Sequence, residues 1–125
     1  MTTFYTLDRA NDRIPELADM VTLLRTQRDE LRELKATFDI AAPGDDQRRF
    51  RLRMQGLVDQ MQAAVARIDG WGITLRDIDS GLIDFPALVS GRQVWLCWRL
   101  GEGPVEWWHE LDVGFSGRRP LIELS

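Results

Sequence analysis

Residues Arg92–Asp112 read RQVWLCWRLGEGPVEWWHELD, and the fold turns on how this stretch pairs with itself. It holds four of the five tryptophans, the only cysteine and the only histidine. Apolar, tryptophan-bearing segments flank Gly101-Glu102-Gly103-Pro104, a pattern that predicts a β-hairpin with those four residues as its turn. With the turn centred on Glu102-Gly103, Leu100 faces Val105, Arg99 faces Glu106, Trp98 faces Trp107, Cys97 faces Trp108, Leu96 faces His109 and Trp95 faces Glu110. One face then collects Val94, Leu96, Trp98, Leu100, Val105, Trp107, His109 and Leu111, a core face. The other collects Trp95, Cys97, Arg99, Glu106, Trp108 and Glu110.

This pairing weighs the chemistry of the stretch. His109 and Glu110 point to opposite faces, so they share a metal ion only across a bulge, and would still need a further ligand such as Asp84 or Glu102. A buried, hydrogen-bonded histidine is the better-supported expectation. A Cys97–His109 nucleophilic dyad is placed on opposite faces too, with carboxylates beside the thiol that disfavour a thiolate. Arg99 and Glu106 are expected as a cross-strand ion pair, contributing up to about 1 kcal/mol. Trp95 and Trp108 share the second face, which something must cover. The tail with Phe115 and Leu121 comes first, a second copy of the chain next, a small-molecule ligand third.

Outward from the hairpin the period changes. Ile14, Leu17, Val21, Leu24, Arg28, Leu31, Lys35 and Phe38 recur in steps of three and four, a heptad seam of coiled-coil type on a helix over about 7–39. Thr6 is its expected N-cap, and Pro15 is expected to kink or restart it. Pro43-Gly44 marks a turn, with Asp45 or Asp46 as cap of a second helix over about 46–69. Phe50, Met54, Leu57, Met61, Ala64 and Ile68 repeat the seam there. Matching seams and a short connection predict an antiparallel helical hairpin. Short strands follow at about 73–76 and 82–85, the second stopped by Pro86. Those of the main hairpin lie at about 92–100 and 105–112, before a glycine-punctuated tail. The fold class is α+β: one domain over 1–125, helical over 1–70, with the β-hairpin region and an irregular tail over 71–125.

At 125 residues with 44% hydrophobic and 29% charged side chains, the composition is that of a single globular domain. A net charge of −4 argues against nucleic-acid coating. The one basic cluster, Arg48-Arg49-Phe50-Arg51-Leu52-Arg53, spreads around a helix and reads as a solvated helix start, with RNA a distant second. Apolar runs are too short to span a membrane, and MTTFYTLDRAND lacks a secretory pattern. With a single cysteine, the expectation is a cytoplasmic protein. Gly114–Pro120 could form an anion-binding nest with Arg118 or Arg119.

Several motifs resemble a known family. They are Tyr5-Thr6-Leu7 with Ala10-Asn11 and Pro15-Glu16-Leu17, Trp71-Gly72, Arg76-Asp77 and Gly81-Leu82-Ile83-Asp84-Phe85-Pro86. Leu96-Cys97-Trp98-Arg99-Leu100-Gly101-Glu102, Trp108-His109-Glu110 and Gly114-Phe115-Ser116-Gly117-Arg118 complete them. Together they are similar to the prokaryotic family known as domain of unknown function 2203. The resemblance implies a small bacterial cytosolic protein whose recurring polar residues are Asp84, Arg99, Glu102, His109, Glu110 and Arg118, and it brings no activity.

No catalytic constellation is recognised, so the expectation is a non-enzymatic binding or interaction module that pairs as a homodimer. Its ligand-binding candidates are Asp84, Trp95, Arg99, Glu102, Trp108, His109, Glu110 and Arg118. The alternative is a small metal-assisted enzyme in which Asp84, Glu102, His109 and Glu110 gather a divalent metal, with Arg118 for an anionic substrate.

Overall fold

The computed structural model describes residues 3–124, with the side chain of Asp45 outside the description. Helix α1 spans Leu7–Ile40 and helix α2 spans Asp45–Gly70, within a residue of the expected bounds. Thr6 caps α1 as expected, its Oγ accepting the Arg9 amide at 3.2 Å. Pro15 neither ends nor restarts the helix: α1 runs unbroken through it. The missing proline N–H frees the Asn11 carbonyl, while the Asn11 side chain reaches away to accept the Val105 amide at 2.7 Å. The cap of α2 differs from expectation. Gly44 is the N-cap, without a side-chain bond, and Asp46 lies inside the first turn with Arg49 3.9 Å away.

The seam does its work over only part of the hairpin. Ala10, Leu17, Val21, Leu24 and Gln27 are buried on α1, Leu57 and Ile68 on α2. Gln27 donates to Gln60 across the pair at 2.9 Å, satisfying a polar group on the seam. Residues 28–56 hold no buried side chain among those described. Arg28, on the seam by its spacing, reaches sideways to Asp79.

The second half is a five-stranded antiparallel sheet in the order β1-β2-β3-β4-β5. The strands are β1 Thr74–Asp77, β2 Leu82–Val89, β3 Arg92–Arg99, β4 Trp107–His109 and β5 Arg119–Pro120. The long hairpin is β2–β3, paired from Leu82↔Arg99 to Val89↔Arg92 around Ser90-Gly91. Both turn residues have positive φ, 53° and 77°, the two-residue turn whose twist matches that of the flanking strands.

Pro86 therefore does not stop β2. Its carbonyl accepts the Tyr5 amide at 2.7 Å, on the side of β2 beyond the last pairing with β1. The missing N–H of Pro86 points to that same side and costs no sheet bond.

The β3–β4 register differs from expectation by one residue. Trp95 pairs with His109, Leu96 with Trp108 and Cys97 with Trp107. The connection is not a two-residue turn. Glu102 folds back on Arg99, its carboxylate accepting the Arg99 amide at 2.7 Å and its own amide donating to the Arg99 carbonyl at 2.9 Å. Trp98 Nε1 donates to the Gly103 carbonyl, and Val105 is drawn into the core by Asn11. Because strand side chains alternate, a slip of one residue exchanges the two faces of β4.

Ile83, Phe85, Ala87, Val94, Leu96, Trp98 and Trp108 thus pack with Leu17, Val21, Leu24 and Ile68 as one core. Trp95, Cys97, Trp107 and His109 share the outer face with Asp84. The tail is more regular than expected, with 3₁₀ turns at Phe115–Gly117 and Leu121–Glu123 flanking β5. The tail crosses the outer face at Phe115 and Arg118, while Leu121 packs on the core.

At the β1–β2 turn Gly81 holds φ 67°, and a Cβ there would stand 2.5 Å from Leu100 Cβ and 3.2 Å from Val21 Cγ1. Gly81→Ala is expected to cost roughly 2 kcal/mol or more from backbone strain and the clash together, read as a lowered midpoint in urea unfolding with unchanged m-value.

Candidate functional site

Three neighbouring strands each bring one buried polar or thiol side chain to the outer face. Asp84 of β2 stands directly opposite Cys97 of β3, and His109 of β4 lies diagonal to Cys97. All three are buried, with 2%, 0% and 3% exposure. One ligand atom from each lies within 4.8 Å of the others. A fourth residue joins from β1. Its register shifts between Leu75 and Asp77, leaving Arg76 as the extra residue of a bulge. Bulges re-aim side chains, and Arg76 Nε meets Asp84 Oδ2 at 2.8 Å.

The hydrogen bonds determine which histidine nitrogen is free. Nδ1 of His109 lies 2.8 Å from the Glu110 carbonyl, an obligate acceptor, so Nδ1 carries the proton. Nε2 lies 3.0 Å from Asp84 Oδ1. In a neutral ring Nε2 presents a lone pair to a carboxylate, which is repulsive. A proton or a cation between them resolves the conflict.

Burial pushes the Cys97 thiol up to about 12, with the Asp84 carboxylate adding to the effect and the Arg118 guanidinium opposing it. As a free thiol it is a poor nucleophile.

A cleft of about 280 Å³ opens onto this cluster. Buried Asp84 and His109 lie at its inner end, and Arg76, Leu82, Leu111, Val113 and Phe115 form its walls.

The remaining expected site residues scatter. Glu102 is engaged by Arg118 through both carboxylate oxygens at 3.0 and 2.9 Å. The Arg118 guanidinium lies 4.5 Å from the Trp107 ring and 4.7 Å from Phe115. Its Nε is the one buried side-chain nitrogen or oxygen without a partner among the described residues. Glu110 turns its side chain to Arg92 at 3.0 Å, and only its carbonyl reaches the cluster. A four-residue metal set with Glu102 and Glu110 therefore does not assemble.

Arg99 makes no ion pair with Glu106 among the described residues; its guanidinium lies 5.5 Å from Phe115. Trp108 leaves the outer face for the core, its Nε1 donating to the Pro120 carbonyl. Trp95 stays half-buried on the outer face, under Arg76 at 4.9 Å. Gly114–Pro120 forms no anion nest: it runs through a 3₁₀ turn into β5, and Arg118 is already occupied by Glu102. In the basic cluster, Arg53 pairs with Glu30 of α1 and Arg51 lies over Phe38.

Sequence reasoning missed Cys97 and Arg76. A signal for the first was present: centring a hairpin on Ser90-Gly91 sets Asp84 against Cys97 directly.

The native thiol is expected to resist a disulfide exchange reagent. Raising its pKa from the ordinary 9.0 to about 12 cuts the thiolate fraction at neutral pH on the order of a thousandfold, and burial removes access besides. Thiol titration with and without denaturant checks this.

Comparison with curated proteins and with solved structures gave no match. A family profile, described as uncharacterized conserved protein (DUF2203), matches residues 3–121. That span includes every residue of the cluster and the cleft, and the chain belongs to this family, domain of unknown function 2203.

Proposed function

We propose that this protein binds a divalent metal ion through Asp84, Cys97 and His109, with a fourth coordination position open to the cleft. The observation that carries the proposal is the meeting of the three donor atoms within 4.8 Å, with the Nδ1 proton of His109 spent on a carbonyl and Nε2 turned to Asp84. A ligating histidine is typically fixed in this way by a carbonyl at its other nitrogen.

The donor set argues for zinc. Thiolate, imidazole and carboxylate together suit a borderline-soft ion, not magnesium or calcium. Bond lengths of about 2.0–2.3 Å in a tetrahedral site require donor–donor edges of about 3.3–3.6 Å. The Nε2–Oδ1 separation of 3.0 Å and the 4.8 Å limit on the set leave only small side-chain adjustments.

A cation removes the lone-pair conflict at Nε2 and deprotonates Cys97. The thiolate so formed would be an acceptor near Arg118, whose buried Nε lacks one. Arg76 would orient the Asp84 carboxylate from outside the coordination sphere.

Three protein ligands and one open position are the arrangement of zinc sites that bind or polarise a small molecule; closed four-ligand sites are structural. The reading thus joins the binding module to the metal-assisted alternative, with Cys97 replacing Glu102 and Glu110. A thiolate ligand also fits a reducing bacterial cytoplasm. The homodimer expected from the helical seam and the tryptophan-rich face loses the Trp95–Trp108 pair. As a proposal it now rests on exposed apolar side chains of the helical hairpin, Leu23 and Leu52.

Chelator-treated protein is expected to take up one zinc or cobalt(II) ion per chain, the cobalt form showing a sulfur-to-cobalt charge-transfer band. Cys97→Ser removes the band, and His109→Ala weakens binding by more than about 100-fold. Zinc at 100 times its dissociation constant raises unfolding stability by about 2.7 kcal/mol. Folded protein that takes up neither ion by elemental analysis overturns the proposal.

A further inference from the structure

The metal-binding reading leaves open what occupies the cleft, and the inference drawn here rests on that reading. The cleft has a polar inner end and apolar walls. Leu111, Val113 and Phe115 are 50%, 39% and 38% exposed on one side of it, an uncovered apolar patch beside a buried polar cluster. Arg76 lines the same cleft with 42% of its side chain exposed. Only its Nε is committed, to Asp84; its two terminal nitrogens make no hydrogen bond among the described residues. Trp95 lies against the guanidinium at 4.9 Å and fixes its plane.

Charge selects among ligands. A divalent ion with the carboxylate of Asp84 and the thiolate of Cys97 is neutral as a unit. Arg118 and Glu102 cancel each other. Arg76, in the cleft wall beside Asp84, is the cation nearest the cluster that keeps free donors. Asp112, at the exposed rim of the cleft, repels a second negative charge on any occupant. A single carboxylate matches the free donors of Arg76, and a second negative charge would meet Asp112. At about 280 Å³ the space is at the lower end for small-molecule sites.

We infer that the cleft binds a small monocarboxylate with a short apolar body. One carboxylate oxygen takes the open metal position and the other meets Arg76. The apolar body lies against Leu82, Leu111, Val113 and Phe115. A carboxylate spans an ion and a guanidinium naturally, because Arg offers paired N–H groups in a plane.

The test uses the full chain loaded with cobalt(II), its visible absorption titrated with butyrate, acetate and inorganic phosphate in turn. Butyrate is expected to shift the cobalt bands saturably, and to bind about tenfold more tightly than acetate for its two further methylene groups. Phosphate is expected to bind more weakly than butyrate. Arg76→Ala lowers butyrate affinity about tenfold or more and Arg76→Lys restores part of it, with cobalt affinity of each variant measured first. Val113→Trp, an exposed position away from the three ligands, is expected to keep the cobalt spectrum and lose the butyrate response by filling the cleft.

A cobalt-loaded protein whose bands do not move with butyrate overturns the inference while leaving the metal site standing. Phosphate binding as tight as butyrate does the same. Failure to load cobalt at all overturns the metal reading itself.

Discussion

The turn at Ser90-Gly91 is the constraint on which the site depends. Two consecutive residues at positive φ close β2 onto β3 with no slack, and eight consecutive pairings follow from that closure. Slipping this hairpin by one residue would carry Ile83 and Phe85 out of the core and Asp84 into it. The apolar alternation of Ile83, Phe85 and Ala87 against Val94, Leu96 and Trp98 therefore holds Asp84 and Cys97 on the outer face as firmly as it holds the core together. The polar cluster is fixed by hydrophobic packing on the opposite side of the same strands.

That placement has an energetic cost that the local chemistry offsets. A buried carboxylate needs donors; Arg76 donates to one oxygen of Asp84, while the other faces His109 Nε2, with the Cys97 thiol beside it. Nearby, Arg118 and Glu102 form a second pair, held between Trp107 and Phe115. The outer face thus carries linked charges under a thin cover of tail residues, where the buried part of the inner face is apolar. Such asymmetry is what a polar cluster held on a rigid sheet requires: the packed side fixes the strands that position it.

Legibility of the sequence followed the range of the interactions involved. The helices were readable to within a residue because a repeating seam of Leu17, Val21, Leu24, Leu57 and Ile68 is a local signal summed over many turns. The α+β class followed from the change of period after Trp71. The β3–β4 register was not readable from alternation alone. It is set by Glu102 bending back to Arg99 and by Asn11 holding Val105 from ninety-four residues away, and a pattern of letters contains neither. A single-residue error there moved Trp108 to the wrong face and separated His109 from Cys97. Asp84 and His109 were still among the expected site residues, because a carboxylate in an apolar strand and a lone histidine stand out by type. Arg76 escaped notice because its role depends on a bulge.

Among the described residues, the helical hairpin buries nothing between residues 28 and 56. Its outer half is held by surface pairs such as Arg53 with Glu30, each contributing little. The sheet, the cleft and the cluster all draw their support from the inner half. Evolutionary change in the reach of this projecting arm, by whole turns gained or lost about the Ala41–Gly44 connection, is thereby uncoupled from the chemistry at its base.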